Sequence, residues 1–197
     1  MKFTGPKVKL SRKIGVALKP KAQQALEKSD GRRAAGGGRD RLSDYGVQLL
    51  EKQRLRFQYN ISEKQMRRYF EKASRMKGKT GRNLVSLLER RLDAVILRSG
   101  FAPTIFAARQ IVSHGHFELN GHRVRIPSIL IKPGDSISVR ERSQKLEIFE
   151  MDWAAYTPPD YIERNTDELK TWMTRQPERE EIPVVCDEQY VVEYYSR

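Results

Sequence analysis

The sequence predicts an α+β protein: a basic all-helical domain, a small helix-helix-hairpin-strand module, and a C-terminal tail that docks back. Three observations carry this. Apolar residues recur at helical spacing from about residue 43 to residue 112, and the pattern then switches to alternation around Asn120-Gly121. The closing Tyr190-Val191-Val192-Glu193-Tyr194-Tyr195 is too apolar to dangle. With 197 residues at 38% hydrophobic content, the chain is long enough to bury a real core.

Residues 1–41 show no helical or strand period and contain Gly31-Arg32-Arg33-Ala34-Ala35-Gly36-Gly37-Gly38-Arg39, so a flexible basic arm is expected there. Ser43 or Asp44 can cap a helix running to about Phe57, with Val47, Leu50 and Leu55 at apolar positions and Gln48, Lys52, Arg54 and Arg56 elsewhere. Ser62 and Gln65 form a capping-box pair opening a second helix through roughly Met76. On it Lys64, Arg67, Arg68, Lys72 and Arg75 recur at three- and four-residue intervals, beside an apolar stripe of Met66, Tyr69, Phe70 and Ala73. These helices make a helical domain at 42–83.

Thr80 then precedes a helix in which Leu84, Leu87, Leu88, Leu92, Val95 and Ile96 keep the helical period up to Gly100. Thr104 caps a shorter one with Ile105, Ala108, Ile111 and Val112, stopped by Gly115. Phe117 and Leu119, then Val124 and Ile126, flank Asn120-Gly121, a pair suited to a type I′ turn, which sets Glu118 opposite Arg123. Ile137 and Val139 alternate in a third strand. Residues 84–150 thus read as a compact α+β module. Residues 151–197, punctuated by Pro158, Pro159, Pro177 and Pro183, are expected to form an acidic segment with one short helix near Asp167 to Arg175, docking on the helical domain.

The formal charge of +13 is uneven: +16 over residues 1–90, +3 over 91–150 and −6 over 151–197. A polyanionic partner, nucleic acid first, follows from a cationic N-terminal half. The longest apolar stretch near the start, Ile14 to Leu18, is too short for a signal-peptide core, and eighteen apolar residues never run together, so neither secretion nor membrane spanning is expected. The first twenty-six residues lack acid, but six of their seven cations are Lys, unlike an Arg-rich transit peptide. Cys186 is the only cysteine, so neither an intrachain disulfide nor cysteine-based zinc spacing can be built.

Catalytic motifs fail one by one. Gly78-Lys79-Thr80 resembles the end of a phosphate-binding loop, yet Ala73 stands where its first Gly belongs. His114, His116 and His122 lack a carboxylate or cysteine at metal-ligand spacing, and no Ser, His, Asp constellation assembles. Arg91-Leu92-Asp93 resembles the catalytic motif of RNA pseudouridine synthases, but Ser99-Gly100 comes too late for their Thr-Ser-Gly, so Asp93 is expected to be a helix-surface acid. No enzyme activity, metal, cofactor or small-molecule substrate is expected. The candidate RNA-binding residues are Arg32, Arg33, Arg39 and Arg41 in the arm, then Lys52, Arg54 and Arg56, then Lys64, Arg67, Arg68, Lys72, Arg75, Lys77, Lys79 and Arg82. In the module they are Arg98, Arg109, Gln110, Ser113, His114, His116, Asn120 and Arg123, where cations and amides suit phosphates, ribose hydroxyls and splayed bases.

At Arg41-Leu42-Ser43-Asp44-Tyr45-Gly46-Val47-Gln48-Leu49-Leu50-Glu51-Lys52-Gln53, Leu87-Leu88-Glu89-Arg90-Arg91-Leu92-Asp93 and Ala108-Arg109-Gln110-Ile111-Val112-Ser113-His114-Gly115-His116, the chain resembles the bacterial-type ribosomal protein S-four family. Val192-Glu193-Tyr194-Tyr195-Ser196-Arg197 matches its C-terminal signature. The resemblance implies a cytoplasmic protein of the small ribosomal subunit that binds a multi-helix junction in the 5′ region of 16S-type rRNA early in assembly. It further implies neighbours, ribosomal proteins S-three and S-five, near the messenger RNA entry channel, with influence on decoding accuracy; Arg41, Lys52, Arg54 and Arg56 are the matched cations. In that family the small module is inserted into a helical domain completed by the C-terminus. Many relatives hold zinc with four cysteines in the N-terminal arm; this arm has none and resembles the zinc-free variant, whose order is expected to depend on RNA. The competing readings are an RNA-modifying enzyme and a free-standing RNA-binding translational regulator.

Overall fold

The structure, a computed structural model, describes residue 3 and residues 5–34, 43–149 and 156–197, with side chains 29–34 excepted. In chain order the helices are α1 (Lys7–Ile14), α2 (Pro20–Ala34), α3 (Asp44–Gln58), α4 (Glu63–Ser74), α5 (Thr80–Glu89), α6 (Leu92–Arg98) and α7 (Ile105–His114). Strands β1 (Phe117–Leu119), β2 (His122–Val124) and β3 (Ser136–Val139) follow, then α8 (Glu141–Gln144), β4 (Ile162–Asn165), β5 (Lys170–Met173) and α9 (Glu188–Tyr195). The fold is α+β, as expected. Among the described residues no helix is long and apolar enough to cross a membrane. The chain divides into two compact units, Met1–Leu84 with Val184–Arg197, and Val85–Pro183.

In the first unit the predicted caps form. Ser43 accepts from the Gly46 N–H at 3.2 Å, and Ser62 and Gln65 exchange two bonds of 3.3 Å, each satisfying an amide that the first helical turn leaves unpaired. The N-terminal segment differs from expectation, because residues 7–14 and 20–34 are helical. Leu10, Ile14, Leu18 and Ala22 stand four apart and are all buried, and Gly15 closes α1 in the left-handed conformation. The Arg54 Nε donates to the Ile14 carbonyl at 2.7 Å, holding the end of α1 to α3.

The C-terminal tail docks on α3 and α4 through residues 184–197. Gln58 and Val185 exchange backbone-to-amide bonds of 3.0 and 3.2 Å, the Asp187 N–H donates to Glu51 at 3.0 Å, and Gln48 donates to Glu193 at 2.9 Å. The Tyr195 hydroxyl donates to Glu63 at 2.6 Å, and its ring lies 4.9 Å from that of Phe70. Burial acts to raise the Glu63 carboxyl, but Tyr195, Lys52 and Arg56 outweigh it and hold the group below its ordinary 4.5. A carboxylate depressed by folding stabilises the fold above its unfolded pKa, and that contribution disappears as pH falls through the folded value. Amide protection factors at residues 188–196, taken against the intrinsic exchange rate at each pH, are therefore expected to fall below about pH 4.5, and Tyr195→Phe should move the onset upward.

The second unit holds a five-stranded antiparallel sheet in the order β2-β1-β3-β5-β4. Leu92, Val95, Ile96, Ala108 and Val112 of α6 and α7 pack with Phe117, Ile137, Val139, Ile162 and Met173 of the sheet. Asn120 and Gly121 take φ of 51° and 79°, and Glu118 pairs in register with Arg123, as the hairpin reading required. Two expectations are corrected. The helix predicted from Thr80 to Gly100 breaks at Arg91, because Leu92 and Asp93 donate instead to the carbonyls of Ile129 (2.8 Å) and Pro127 (3.1 Å), while Ile131 donates to Arg90 O (2.7 Å). The short helix near Asp167 to Arg175 is the β4–β5 hairpin, so residues 156–183 extend the sheet of the small module and only the last fourteen residues dock on the helical one. Asn165 Oδ1 accepts from the amides of Asp167 and Glu168, and Leu169 turns at φ 48°, which starts a turn where a helix was expected.

Candidate nucleic-acid interface

On α4 the apolar positions Met66 and Ala73 are buried, which turns the opposite side outward. Lys64, Arg67, Arg68, Lys72 and Arg75 are exposed there, as are Lys77 and Lys79 in the following loop, and none of these seven forms an ion pair among the described residues. Arg82 is exposed at the start of α5. Such a row of unneutralised cations on one rigid helix can meet phosphates several at a time.

Other candidate cations serve the fold. Lys52 is buried, with Nζ 2.9 Å from Glu63 and 4.6 Å from the centre of the Tyr194 ring. Arg54 pairs with Glu51, and Arg56 lies 3.3 Å from Glu63 and 4.3 Å over the Phe57 ring. The side chains of Arg32, Arg33, Arg39 and Arg41 lie outside the described residues.

In the module, Arg98 pairs with the fully buried Glu89, which also accepts from the Tyr161 hydroxyl at 2.8 Å. Arg109 is buried, 3.6 Å from Asp93. Asp93 itself corrects the expectation of a surface acid. It is fully buried and takes two bonds from Arg91, at 2.9 and 2.7 Å, because the break before α6 turns its carboxylate onto the guanidinium beside it. Burial raises the Asp93 pKa, and Arg91 and Arg109 oppose that rise.

Gln110, Ser113, His114, Asn120 and Arg123 remain exposed around the end of α7 and the hairpin. Gly115, at φ 78°, ends α7 and leaves the carbonyls of His114 and Gly115 to accept from Arg123 at 3.4 and 3.3 Å. Asn120 is held by Asp135 (3.0 Å) and by the Ser136 amide (2.9 Å). His116 is half-buried, with Nδ1 3.0 Å from the Ser143 hydroxyl; burial lowers its pKa, and His114, Arg123 and Arg140 act in the same direction, so it offers a neutral ring. Glu118 pairs with Arg140 at 3.3 Å, leaving Arg123 to the helix end. Sequence reading missed Arg125, an exposed neighbour of Arg123, and the exposed Arg12, Lys13, Lys19 and Lys21 of the first two helices and the turn between them. The absence of acid from residues 1–26 was the available signal for those four.

Among the described residues no group of three His, Cys, Asp or Glu could hold a metal ion. A basic helical unit and a small α+β unit with a cationic rim define a structural RNA-binding protein. Residues 2–89 match the ribosomal protein S4/S9 N-terminal domain, and residues 90–137 match the S4 domain. The small ribosomal subunit protein uS4 of Streptomyces avermitilis is 51% identical over 198 residues, covering 98% of this chain and 97% of its own length. Those of Micrococcus luteus (50% over 202 residues, 96% and 95% covered) and Brevibacillus brevis (43% over 197 residues, 100% and 99% covered) are similar along their whole length. The chain belongs to the uS4 family of small ribosomal subunit proteins, a structural and non-enzymatic family.

Proposed function

We propose that this chain is a primary assembly protein of the small ribosomal subunit in the cytoplasm, gripping a 5′-region multi-helix junction of 16S-type rRNA. In this reading it lies beside ribosomal proteins S-three and S-five near the messenger RNA entry channel and influences decoding accuracy. The observation that carries it is the row of exposed cations from Lys64 to Lys79, which form no ion pairs among the described residues and stand on α4 and in the loop after it, with the other face of α4 anchored in the core. Gln110, His114, Asn120, Arg123 and Arg125 supply a second surface suited to riboses and splayed bases. Affinity then comes mainly from neutralised phosphates, and specificity from RNA shape with a few base or ribose contacts.

Ultraviolet crosslinking in cells, followed by sequencing of the attached RNA, tests this. Crosslinks concentrated at a 5′-region junction of small-subunit rRNA are expected. Crosslinks spread over messenger leaders or transfer RNAs, with little rRNA enrichment, would remove the assembly role.

A further inference from the structure

Arg75-Met76-Lys77-Gly78-Lys79 connects the end of α4 at Ser74 to the start of α5 at Thr80. A helix leaves its last carbonyls without partners of its own. Here a residue of the next helix answers them: the Asn83 side chain turns back from near the start of α5, and its Nδ2 donates to the carbonyls of Lys77 (3.2 Å), Ala73 (3.4 Å) and Met76 (3.5 Å). The Asn83 backbone N–H donates to the Lys79 carbonyl at 3.0 Å. One residue therefore bonds the carbonyls of both lysines in the connection. Gly78 between them takes φ of 101°, a backbone that side chains avoid. Space is not the constraint there, since an added Cβ would come no closer than 3.9 Å to Asn83 Oδ1.

We propose that Asn83 is a positioning residue for rRNA binding, which fixes this connection in advance so that Lys77 and Lys79 meet phosphates without first ordering the backbone that carries them. The proposal rests on the rRNA-binding reading above and deepens it. Lys77 and Lys79 are exposed and form no ion pair among the described residues. A lysine is a compact charge on a flexible stem, so where it reaches depends on the backbone beneath it, and backbone ordered only on binding subtracts from affinity. Under Lys64, Arg67, Arg68 and Lys72 the helical ladder of α4 supplies that order. Past Ser74 the ladder stops, and the Asn83 amide takes its place. Three carbonyls converge on the amide and all of them only accept, so the position needs a neutral donor with two hydrogens.

The test is a double-mutant cycle on the full chain, with affinity for a transcript of the 5′ region of small-subunit rRNA measured across salt concentrations and each variant checked by thermal unfolding. Lys77→Gln with Lys79→Gln should weaken binding roughly tenfold near 0.1 M salt and flatten the slope of log affinity against log salt by about 1.5. Asn83→Ala alone should weaken it roughly fivefold. In the chain already lacking both lysines, Asn83→Ala should cost less than about twofold, because nothing is left for it to position. An asparagine that only supports the fold lowers affinity by the same factor in both backgrounds, and that result overturns the proposal, as does an Asn83→Ala chain that binds like the parent. A lysine-pair variant with the parent's affinity and slope overturns it too, and leaves α4 to carry the rRNA reading. A parent that fails to bind the transcript removes that reading and the proposal with it. Should Asn83→Ala not fold, backbone order parameters of Lys77, Gly78 and Lys79 in the parent decide. Values near about 0.85 before RNA is added support a connection ordered in advance; values below about 0.6 that rise only with RNA overturn it.

Discussion

Replacing Asp93 with alanine is expected to destabilise the unit Val85–Pro183 by about 3–5 kcal/mol, because it strands a fully buried guanidinium. Arg91 is among the largest fully buried side chains, and Asp93 answers it with two bonds, takes the Ala94 N–H at 3.1 Å, and faces Arg109 at 3.6 Å. Removing the carboxylate leaves Arg91 without its counter-charge in a site that water does not reach. Removing both members of the closer pair is a different experiment: Arg91→Met with Asp93→Leu should recover the part of the loss that comes from Arg91, whose desolvation penalty disappears along with the attraction, while the buried Arg109 still loses Asp93. Trp172 lies on β5 of this unit, and the sequence of the helical unit contains no tryptophan, so denaturant unfolding followed by fluorescence reads this unit's midpoint separately. A midpoint for Asp93→Ala within about 0.5 kcal/mol of the parent would show that the pair is not an energetic anchor of the module.

Changing Lys64, Arg67, Arg68 and Lys72 together to glutamine should weaken rRNA binding on the order of a hundred- to a thousandfold near 0.1 M salt. Each cation that neutralises a phosphate contributes roughly 0.7–0.9 to the slope of log affinity against log salt, so the slope should flatten by about three. The folded state should barely change, because these side chains are exposed and make no ion pairs among the described residues. Lys52→Gln should show the reverse pattern: it removes a buried ammonium that bonds the half-buried Glu63 and lies over the Tyr194 ring, and so lowers stability, with little direct change in the salt slope. Binding measured as a function of salt, beside thermal unfolding of the same variants, separates the two. An unchanged slope for the fourfold variant would move the phosphate contacts off α4.

The features legible in the sequence were those whose partners sit within a few residues. Ser43 reaches an amide three residues on, Ser62 and Gln65 satisfy one another, Thr104 accepts from Ala107 at 3.2 Å, and Asn120-Gly121 carries its own turn geometry. Local chemistry suffices for each. The misreadings share the opposite property. The helix through Arg91 breaks because carbonyls at 127 and 129 outcompete its own, some thirty-five residues away, and no apolar period records that competition. The β4–β5 hairpin forms because β5 pairs with β3, placing Ile137 opposite Thr171. The four-residue spacing of Leu10, Ile14, Leu18 and Ala22 was present all along, but with cations between them it becomes a buried stripe only when α1 and α2 pack on one another and against α3.

By itself, then, the sequence determined that this protein is strongly basic, that its N-terminal half carries the positive field, that helices precede a hairpin of known register, and to which family it belongs, because composition, short-range capping and turn chemistry need no tertiary partner. Which of those cations face outward was decided only by packing. Lys52, Arg98 and Arg109 look no different from Lys64 or Arg67 in a list of residues, yet Glu63, Glu89 and Asp93 reach them across 9 to 16 positions of chain. Coulomb attraction depends on distance in space and on the loss of water around the pair, and both are set when α3, α4 and the tail close in one unit and α6, α7 and the sheet close in the other.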